Sequence, residues 1–261
     1  MSTNPYAAPK THLTDIPKQP SAENFMALGR SRPAAHGWRW IKSARALTKT
    51  RLSLWMGIFL VFVIISIGLS VIPIIGSLSL YFIMPVLLGG VMLTCDKVHQ
   101  GQHITFGDFF SGFTSHFIKL AGIGLATLLM HLVIFVLIAA IFGTASVLVL
   151  SGMENPRTTD PTVAAGIVIA AAVLLGLSIP VYMAVWFSYA LVTINNFKIL
   201  QALKTSFSAT LKNVVPFLIY GVVMFMLAIV ATIPAFLGWL ILGPILFASI
   251  YTGYRDIFYE A

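Results

Sequence analysis

Long apolar runs alternate with short polar segments along the chain. A helix that crosses a bilayer needs about 20 consecutive apolar residues. Uncharged runs of at least this length predict six transmembrane helices, at about 52–72, 74–95, 120–150, 163–194, 214–233 and 237–254. The third and fourth runs are longer than a hydrocarbon core of about 30 Å requires, so we expect these helices to tilt or bend. The pattern predicts an all-α, polytopic membrane bundle.

The N-terminal segment has a different composition. Residues 1–35 are polar and contain several prolines, without an apolar run. Such a segment buries too little apolar surface to fold by itself, and it lacks the apolar core of a cleavable signal peptide. We expect residues 1–35 to form a disordered cytoplasmic tail and residues 36–261 to form the six-helix transmembrane domain.

The segment before the first run, from Gly37 to Trp55, has two faces at helical spacing. At ~100° per residue, Trp40, Ile41 and Ala44 gather on one arc. The other arc carries four cations: Arg39, Lys42, Arg45 and Lys49.

Two later polar segments have a similar pattern. Residues 105–119 place five phenylalanines at helical spacing, and residues 197–213 place apolar side chains in one row and three lysines in another: Lys198, Lys204 and Lys212. Helices of this type lie in the headgroup region with their cations toward anionic lipids. We predict three cytoplasmic amphipathic surface helices. The open alternative is that these segments only cover the end of the bundle.

Each of these segments precedes a pair of apolar runs, so the chain divides into three units of one surface helix and one hairpin. Residues 71–90 and 232–250 share an Ile-Pro pair, a glycine, and a second proline followed by apolar residues. Internal repeats of this kind occur in transporters. Duplication of a stable hairpin without a transport role would produce the same sequence pattern. The pattern therefore indicates repeated units without indicating an activity.

Composition and charge place the protein in a membrane. Hydrophobic residues make up 58% of the chain and charged residues 9%, with a mean hydropathy of +0.93. Soluble domains carry about 25% charged residues. The net charge is +8, and in a six-span topology Arg157 is the single basic residue on one side. The positive-inside rule then places both termini in the cytoplasm. We expect membrane lipids with anionic headgroups to be partners, and not nucleic acid.

Motifs for catalysis are missing from the sequence. The six runs contain no Asp, Glu, Lys or Arg, and His131 is their one histidine. Ion coupling and intramembrane catalysis need ionisable groups at depth. No GxSxG, HExxH, CxxC or glycine-rich phosphate loop occurs. We therefore predict no catalytic residue, no metal site and no cofactor.

Polar residues and prolines inside the runs supply the remaining candidates. If the bundle encloses a cavity, the candidate lining residues are His131, Tyr182, Ser188, Asn195 and Tyr220. A proline within a helix removes a backbone hydrogen bond and can act as a hinge. The candidate hinges are Pro85, Pro180 and Pro244.

Five short stretches carry a resemblance to a known type of protein. They are Gly37–Ile41, Phe109–Phe113, Trp186 with Ala190–Val192, Ala202–Phe217 and Tyr251–Phe258. Together they resemble an uncharacterised family of six-span bacterial inner-membrane proteins. More loosely, they are similar to the membrane domains fused to some glycerophosphodiester phosphodiesterases. The resemblance implies a fold and the bacterial inner membrane as the compartment, and it implies no activity.

These observations favour a non-enzymatic accessory or envelope factor that acts through contacts with lipids or with a protein partner. The alternative is a transporter or permease subunit for a small uncharged or amphiphilic solute. A lipid-modifying intramembrane enzyme is disfavoured, because the runs lack an acid, a base and metal ligands.

Overall fold

The computed structural model describes residues 25–151 and 161–260, and this part of the chain is mainly helical. The α-helices are α1 (His36–Thr48), α2 (Leu52–Ser70), α3 (Ile75–His99), α4 (Ser111–Ser115), α5 (Phe117–Ser151), α6 (Pro161–Val185), α7 (Ser188–Thr193), α8 (Ile199–Lys212), α9 (Val214–Thr232) and α10 (Trp239–Phe258). The prediction of an all-α bundle is confirmed. A surface segment followed by a helical hairpin occurs three times, as α1 before α2–α3, α4 before α5–α6, and α8 before α9–α10.

Five helical stretches among the described residues are long and apolar enough to cross a membrane. They are His36–Ser70, Ile75–His99, Phe117–Ala140, Ala164–Thr193 and Val214–Thr232. The protein therefore has the character of a multi-pass membrane protein. The sixth predicted span forms a helix, α10, but α10 is not among these five. Its second half carries tyrosines and the charged pair Arg255 and Asp256, which lowers its apolar character.

Helix α10 lies in the interior of the bundle. It packs against α1, α2, α3 and α9. The large side chains of Tyr251, Tyr254 and Phe258 are fully buried along it. Aromatic side chains bury much apolar area and also offer a polar group, so α10 can be both buried and partly polar.

Close backbone contact joins α5 to α3. Pro85 has no backbone N–H, so it leaves the carbonyl of Tyr81 without its helical donor. Gly124 of α5 lies against this carbonyl: a Cβ at position 124 would stand 1.9 Å from the oxygen. A glycine is thus required at position 124, next to the carbonyl group that Pro85 leaves without a helical hydrogen bond.

Residues 25–35 correct the prediction of a disordered tail over residues 1–35. The Met26 N–H donates to the carbonyl of Phe258 at 2.8 Å, and the Arg30 N–H donates to that of Ile257 at 3.0 Å. The Phe25 ring stacks on the Phe258 ring, with centroids 6.0 Å apart. The segment docks on the end of α10 through pairs that lie far apart in sequence, which the local composition does not reveal. Residues 1–24 lie outside the described residues.

The predicted surface helix over 105–119 is also divided. Residues 106–110 form a 3-10 turn and α4 follows, before α5 begins at Phe117. Thr105 and Asp108 form a reciprocal capping box at the start of the turn. Gly107 and Gly112 disfavour a continuous helix here. Gly112 also packs directly on α3, since a Cβ at this position would lie 2.1 Å from the carbonyl oxygen of Val86.

Candidate functional site

One carboxylate organises the end of the bundle where α1 begins and α10 ends. Asp256 accepts from Arg32 Nη2 at 2.7 Å on Oδ1. Its Oδ2 lies 2.7 Å from Nδ1 of His36 and accepts from Trp40 Nε1 at 2.8 Å. Burial lowers the pKa of the Arg32 guanidinium, and the charge of Asp256 opposes this shift. Asp256 therefore ties the N-terminal segment and α1 to α10.

The end of α8 joins the same network through Asn213. This fully buried side chain accepts from the Arg32 N–H at 2.7 Å and donates to the carbonyl of Arg30 at 3.0 Å. Nearby, Lys212 Nζ donates to the carbonyl of Leu28 at 2.9 Å. Residues 28–35 thus link α1 and α8 at one end of the molecule, which we call the basic end: residues 28–35, α1 with the adjacent Lys49, and α8 with the adjacent Lys198.

Helix α1 divides into a buried and an exposed face. Trp40, Ile41, Ala44 and Thr48 are buried, where α1 packs against α9 and α10. The exposed face carries the predicted lipid-surface cations Arg39, Lys42, Arg45 and Lys49. The apolar arc recognised in the sequence therefore contacts protein.

Helix α8 has three faces, one more than the sequence suggested. Small and polar residues form its buried face: Ala202, Ser206, Ala209 and Thr210, next to Leu203. Large apolar side chains remain exposed, with Leu200 at 63%, Phe207 at 37% and Leu211 at 55%. Lys198, Lys204 and Lys212 are exposed as well. An exposed apolar row beside exposed lysines is the arrangement of a helix that lies in a membrane interface.

The predicted cations are not neutralised within the described part of the chain. Among residues 25–151 and 161–260, ion pairs join Arg32 and His36 to Asp256, and Lys97 to Asp108. None of the seven lipid-surface candidates takes part in them. Seven exposed cations without an acidic partner create a positive potential at the basic end.

The loop between α3 and α4 is held in a different way. Lys97 Nζ contacts Asp108 Oδ1 at 2.5 Å, and the Thr105 N–H donates to Asp108 Oδ2 at 2.7 Å. Burial acts to raise the pKa of Asp108, but these hydrogen bonds and the Lys97 charge lower it overall. Lys97 is thus paired with a carboxylate, unlike the seven cations of the basic end.

The five cavity-lining candidates lie at several places. His131 and Tyr182 line one cavity of about 250 Å³, with ring centroids 5.8 Å apart. Ser188 is buried and donates to the carbonyl of Val185. The Asn195 side chain forms hydrogen bonds with the hydroxyls of Tyr254 and Tyr259. Tyr220 forms a hydrogen bond with Ser249, and their hydroxyl oxygens are 2.7 Å apart. The structure therefore brings two of the five together.

The hinge candidates lie inside continuous helices: Pro85 in α3, Pro180 in α6 and Pro244 in α10. The break within the fourth predicted span lies after Val185 instead. There the Phe187 N–H donates to Ser206 Oγ at 3.0 Å, and Ser206 Oγ donates to the carbonyl of Met183 at 2.9 Å. A hydroxyl from α8 has entered the hydrogen-bond ladder between residues 183 and 187. No signal in the sequence around residue 186 indicated this position.

Chemistry at metal centres has no support in the described residues. Within residues 25–151 and 161–260, no group of three His, Cys, Asp or Glu side chains is placed to hold a metal ion.

The comparisons with known proteins give a family. A family model described as a domain of unknown function, DUF7847, matches residues 50–252 of the 261-residue chain. The protein belongs to the DUF7847 family. No curated protein and no solved structure matches the chain.

The DUF7847 match divides the basic end. It includes the α8 lysines, the cavity at His131 and the α6–α7 break, whereas Arg39, Lys42, Arg45, Lys49 and Asp256 lie outside it. The match agrees with the resemblance to an uncharacterised family. It carries no information on the bacterial compartment or on the phosphodiesterase membrane domains.

Proposed function

We propose that this DUF7847 protein is a non-enzymatic accessory or envelope factor of the bacterial inner membrane that acts through contacts with anionic lipids at its basic end. One observation carries the proposal: the seven cations of α1 and α8 are exposed and have no acidic partner among the described residues, while the opposite faces of both helices pack into the bundle. The exposed apolar row of α8 supports it, because lipid is a suitable contact for that row.

Orientation follows from the same cations. The positive-inside rule places the basic end at the cytoplasmic leaflet, where anionic lipids are plentiful. The ends of α1 and α8 meet through residues 28–35, so both helices can contact one patch of lipid headgroups.

The test compares lipids bound to the full-length protein in nanodiscs of phosphatidylcholine and phosphatidylglycerol. After gentle extraction, native mass spectrometry counts the phosphatidylglycerol molecules retained per protein. A variant with Arg39, Lys42, Arg45 and Lys49 replaced by Gln should retain at least about fivefold less, because each cation near an anionic surface contributes roughly 1 kcal/mol.

The matched control exchanges the same four residues between Arg and Lys, which keeps the charge and alters the side chains. This control should retain phosphatidylglycerol as the native protein does. Equal retention by the Gln variant would refute the proposal, and loss in the charge-preserving control would show that side-chain geometry matters more than charge.

The alternative of a transporter or permease subunit has one supporting observation, the cavity shared by His131 and Tyr182. Uptake into proteoliposomes tests it, with the solute varied from uncharged to amphiphilic. Transport would have to depend on both side chains for this alternative to replace the first.

A further inference from the structure

The cavity beside His131 is lined by both apolar and polar side chains. It lies where α3, α5, α6 and α7 approach one another and has a volume of about 250 Å³. Leu80 and Met84 are apolar lining residues, and Tyr81, Tyr182 and Tyr189 line the cavity as well. No Lys, Arg, Asp or Glu lines it.

The cavity lies deep in the membrane-spanning part of the molecule. Lys119, near the start of α5, donates from Nζ to the carbonyl of Asn196 at 3.2 Å and marks the level of the polar loops. His131 is twelve residues further along α5, about 18 Å at 1.5 Å per residue. With a hydrocarbon core about 30 Å thick, His131 lies near the centre of the bilayer.

The imidazole of His131 is held in one orientation. Its Nδ1 lies 3.0 Å from the carbonyl oxygen of Thr127. A carbonyl only accepts, so Nδ1 carries the hydrogen, and Nε2 of the neutral ring is an acceptor. The ring centroids of Tyr81 and Tyr182 lie 6.0 Å and 5.8 Å from the centroid of the His131 imidazole, so both tyrosine rings contact it.

Several polar atoms at this cavity have no protein partner. Among the described residues, neither His131 Nε2 nor the hydroxyls of Tyr81, Tyr182 and Tyr189 form a hydrogen bond, whereas Tyr220 in the neighbouring α9 is paired with Ser249. Polar groups without partners are costly in hydrocarbon, because no bulk water is present to hydrate them. An imidazole acceptor and three tyrosines without hydrogen-bond partners, all at one cavity, suit a molecule with a matching polar group.

We propose that this cavity binds an uncharged lipid whose head is a hydroxyl group. The hydroxyl donates to His131 Nε2 and accepts from a tyrosine hydroxyl, while the chain lies along Leu80 and Met84 and leaves the protein toward the bilayer. An uncharged ligand suits a lining without ionic side chains and a position near the bilayer centre. The site is separate from the basic end, so this inference stands or falls independently of the anionic-lipid contacts proposed above.

The experiment uses two probes that differ in one group. One is a C16 alcohol with a diazirine and an alkyne in its chain, and the other is its methyl ether, which accepts hydrogen bonds but cannot donate. Each is added to the full-length protein in nanodiscs and photolysed, and labelled peptides are identified by mass spectrometry. The alcohol should label peptides that contain residues 80–85, 127–131 or 182–189 roughly five- to tenfold more than the ether, as one hydrogen bond implies.

Variants then assign the effect to named atoms. His131→Phe removes the acceptor and should bring the alcohol-to-ether ratio close to one. The double variant Tyr81→Phe, Tyr182→Phe deletes two oxygens without changing the rings, and it should lower alcohol labelling several-fold even if His131→Phe does not fold. Tyr220→Phe is the matched control, since this tyrosine is paired elsewhere, and it should leave the ratio unchanged.

The proposal is overturned if alcohol and ether label the native protein equally. It is also overturned if labels lie outside these peptides, or if the folded His131→Phe or tyrosine variants label as the native protein does. Loss of phosphatidylglycerol retention in the basic-end variant has no bearing on these outcomes, so the two proposals can fail separately.

Discussion

Helices α3 and α6 have the same length and similar apolar compositions, but they have different surroundings. Each contains 25 residues and one internal proline, Pro85 or Pro180. In the most apolar 18-residue window of α3, 50% of the residues are buried, compared with 11% in the corresponding window of Ala164–Thr193, a stretch that contains most of α6. Helix α3 packs against α2, α4, α5, α7 and α10, whereas α6 contacts mainly α5 and α8.

Glycines show why the two helices differ. A Cβ on Gly90 of α3 would stand 1.9 Å from the carbonyl oxygen of Phe109, and one on Gly89 would stand 2.4 Å from a methyl group of Leu120. Gly176 of α6 has nothing within 4 Å of the same position. Small residues permit close helix packing in membranes. The contrast teaches that a glycine in an apolar run marks the interior only when another element lies against it.

The largest expected effect comes from adding one methyl group to α3. Gly90→Ala places a Cβ against backbone and should cost about 3 kcal/mol, because a backbone carbonyl cannot move aside as a side chain can. Thermal unfolding of the purified protein, followed by fluorescence-detected gel filtration, measures the fall in Tm. Gly176→Ala is the matched control and should change stability by at most about 0.5 kcal/mol. Equal Tm shifts for the two variants would contradict the contrast.

The next effect concerns the break that ends α6. Ser206→Ala removes the hydroxyl that bridges the Met183 carbonyl and the Phe187 N–H. The buried Phe187 N–H loses its partner, whereas the Met183 carbonyl still accepts from Thr210 Oγ1 at 3.2 Å. We expect a loss of about 1–3 kcal/mol. Hydrogen exchange at Phe187 should become faster.

The control for this change is Ser208→Ala on the same helix, because Ser208 makes no side-chain hydrogen bond among the described residues. It should leave both Tm and exchange at Phe187 unchanged. A Ser206→Ala protein as stable as the native one would show that water or lipid can replace the hydroxyl.

The smallest expected effect is a pH dependence of stability that arises from the ion pair between Lys97 of α3 and Asp108. The pKa of Asp108 is lowered from its ordinary value of 3.8. The ionised Asp108 therefore stabilises the folded protein above pH 3.8, and this stabilisation is lost as the pH falls through the lowered pKa. Asp108→Asn should have a lower Tm than the native protein at pH 5, and the difference should shrink by pH 3. Lys97→Gln should reproduce this trend; a constant difference between the two pH values would rule out this ion pair as its source.

Much of the architecture was predictable from local pattern, and α8 shows where prediction ended. The sequence indicated a helix with lysines on one face. It did not indicate that Ala202, Ser206 and Ala209 would be buried while Leu200 and Leu211 stayed exposed. Small residues were buried because neighbouring helices approach closely there, and a large apolar side chain next to lipid loses nothing by remaining outside.

The contacts of residues 25–35 at the candidate site were likewise beyond what the sequence pattern could predict. Each cation of α1 could be placed on its face from spacing alone, but the pairing of Arg32 and His36 with Asp256 joins residues more than 200 positions apart. The position of the α6–α7 break was unpredictable for a similar reason, because Ser206 creates it from another helix. The lining of the cavity at His131 was predicted in part. His131 and Tyr182 were candidates from the sequence, whereas Tyr81 and Tyr189, which line the same cavity, were not.

Apolar run length by itself determined where the long apolar helices form. A bilayer obliges each span to satisfy its own backbone hydrogen bonds and to present apolar side chains, and both are properties of a continuous segment. Only the tertiary structure decided that α10 lies inside and α6 outside, and which polar groups find partners. Lipid and protein interior are both apolar, so hydrophobicity cannot distinguish them, and the choice depends on shape and hydrogen bonding between segments remote in sequence.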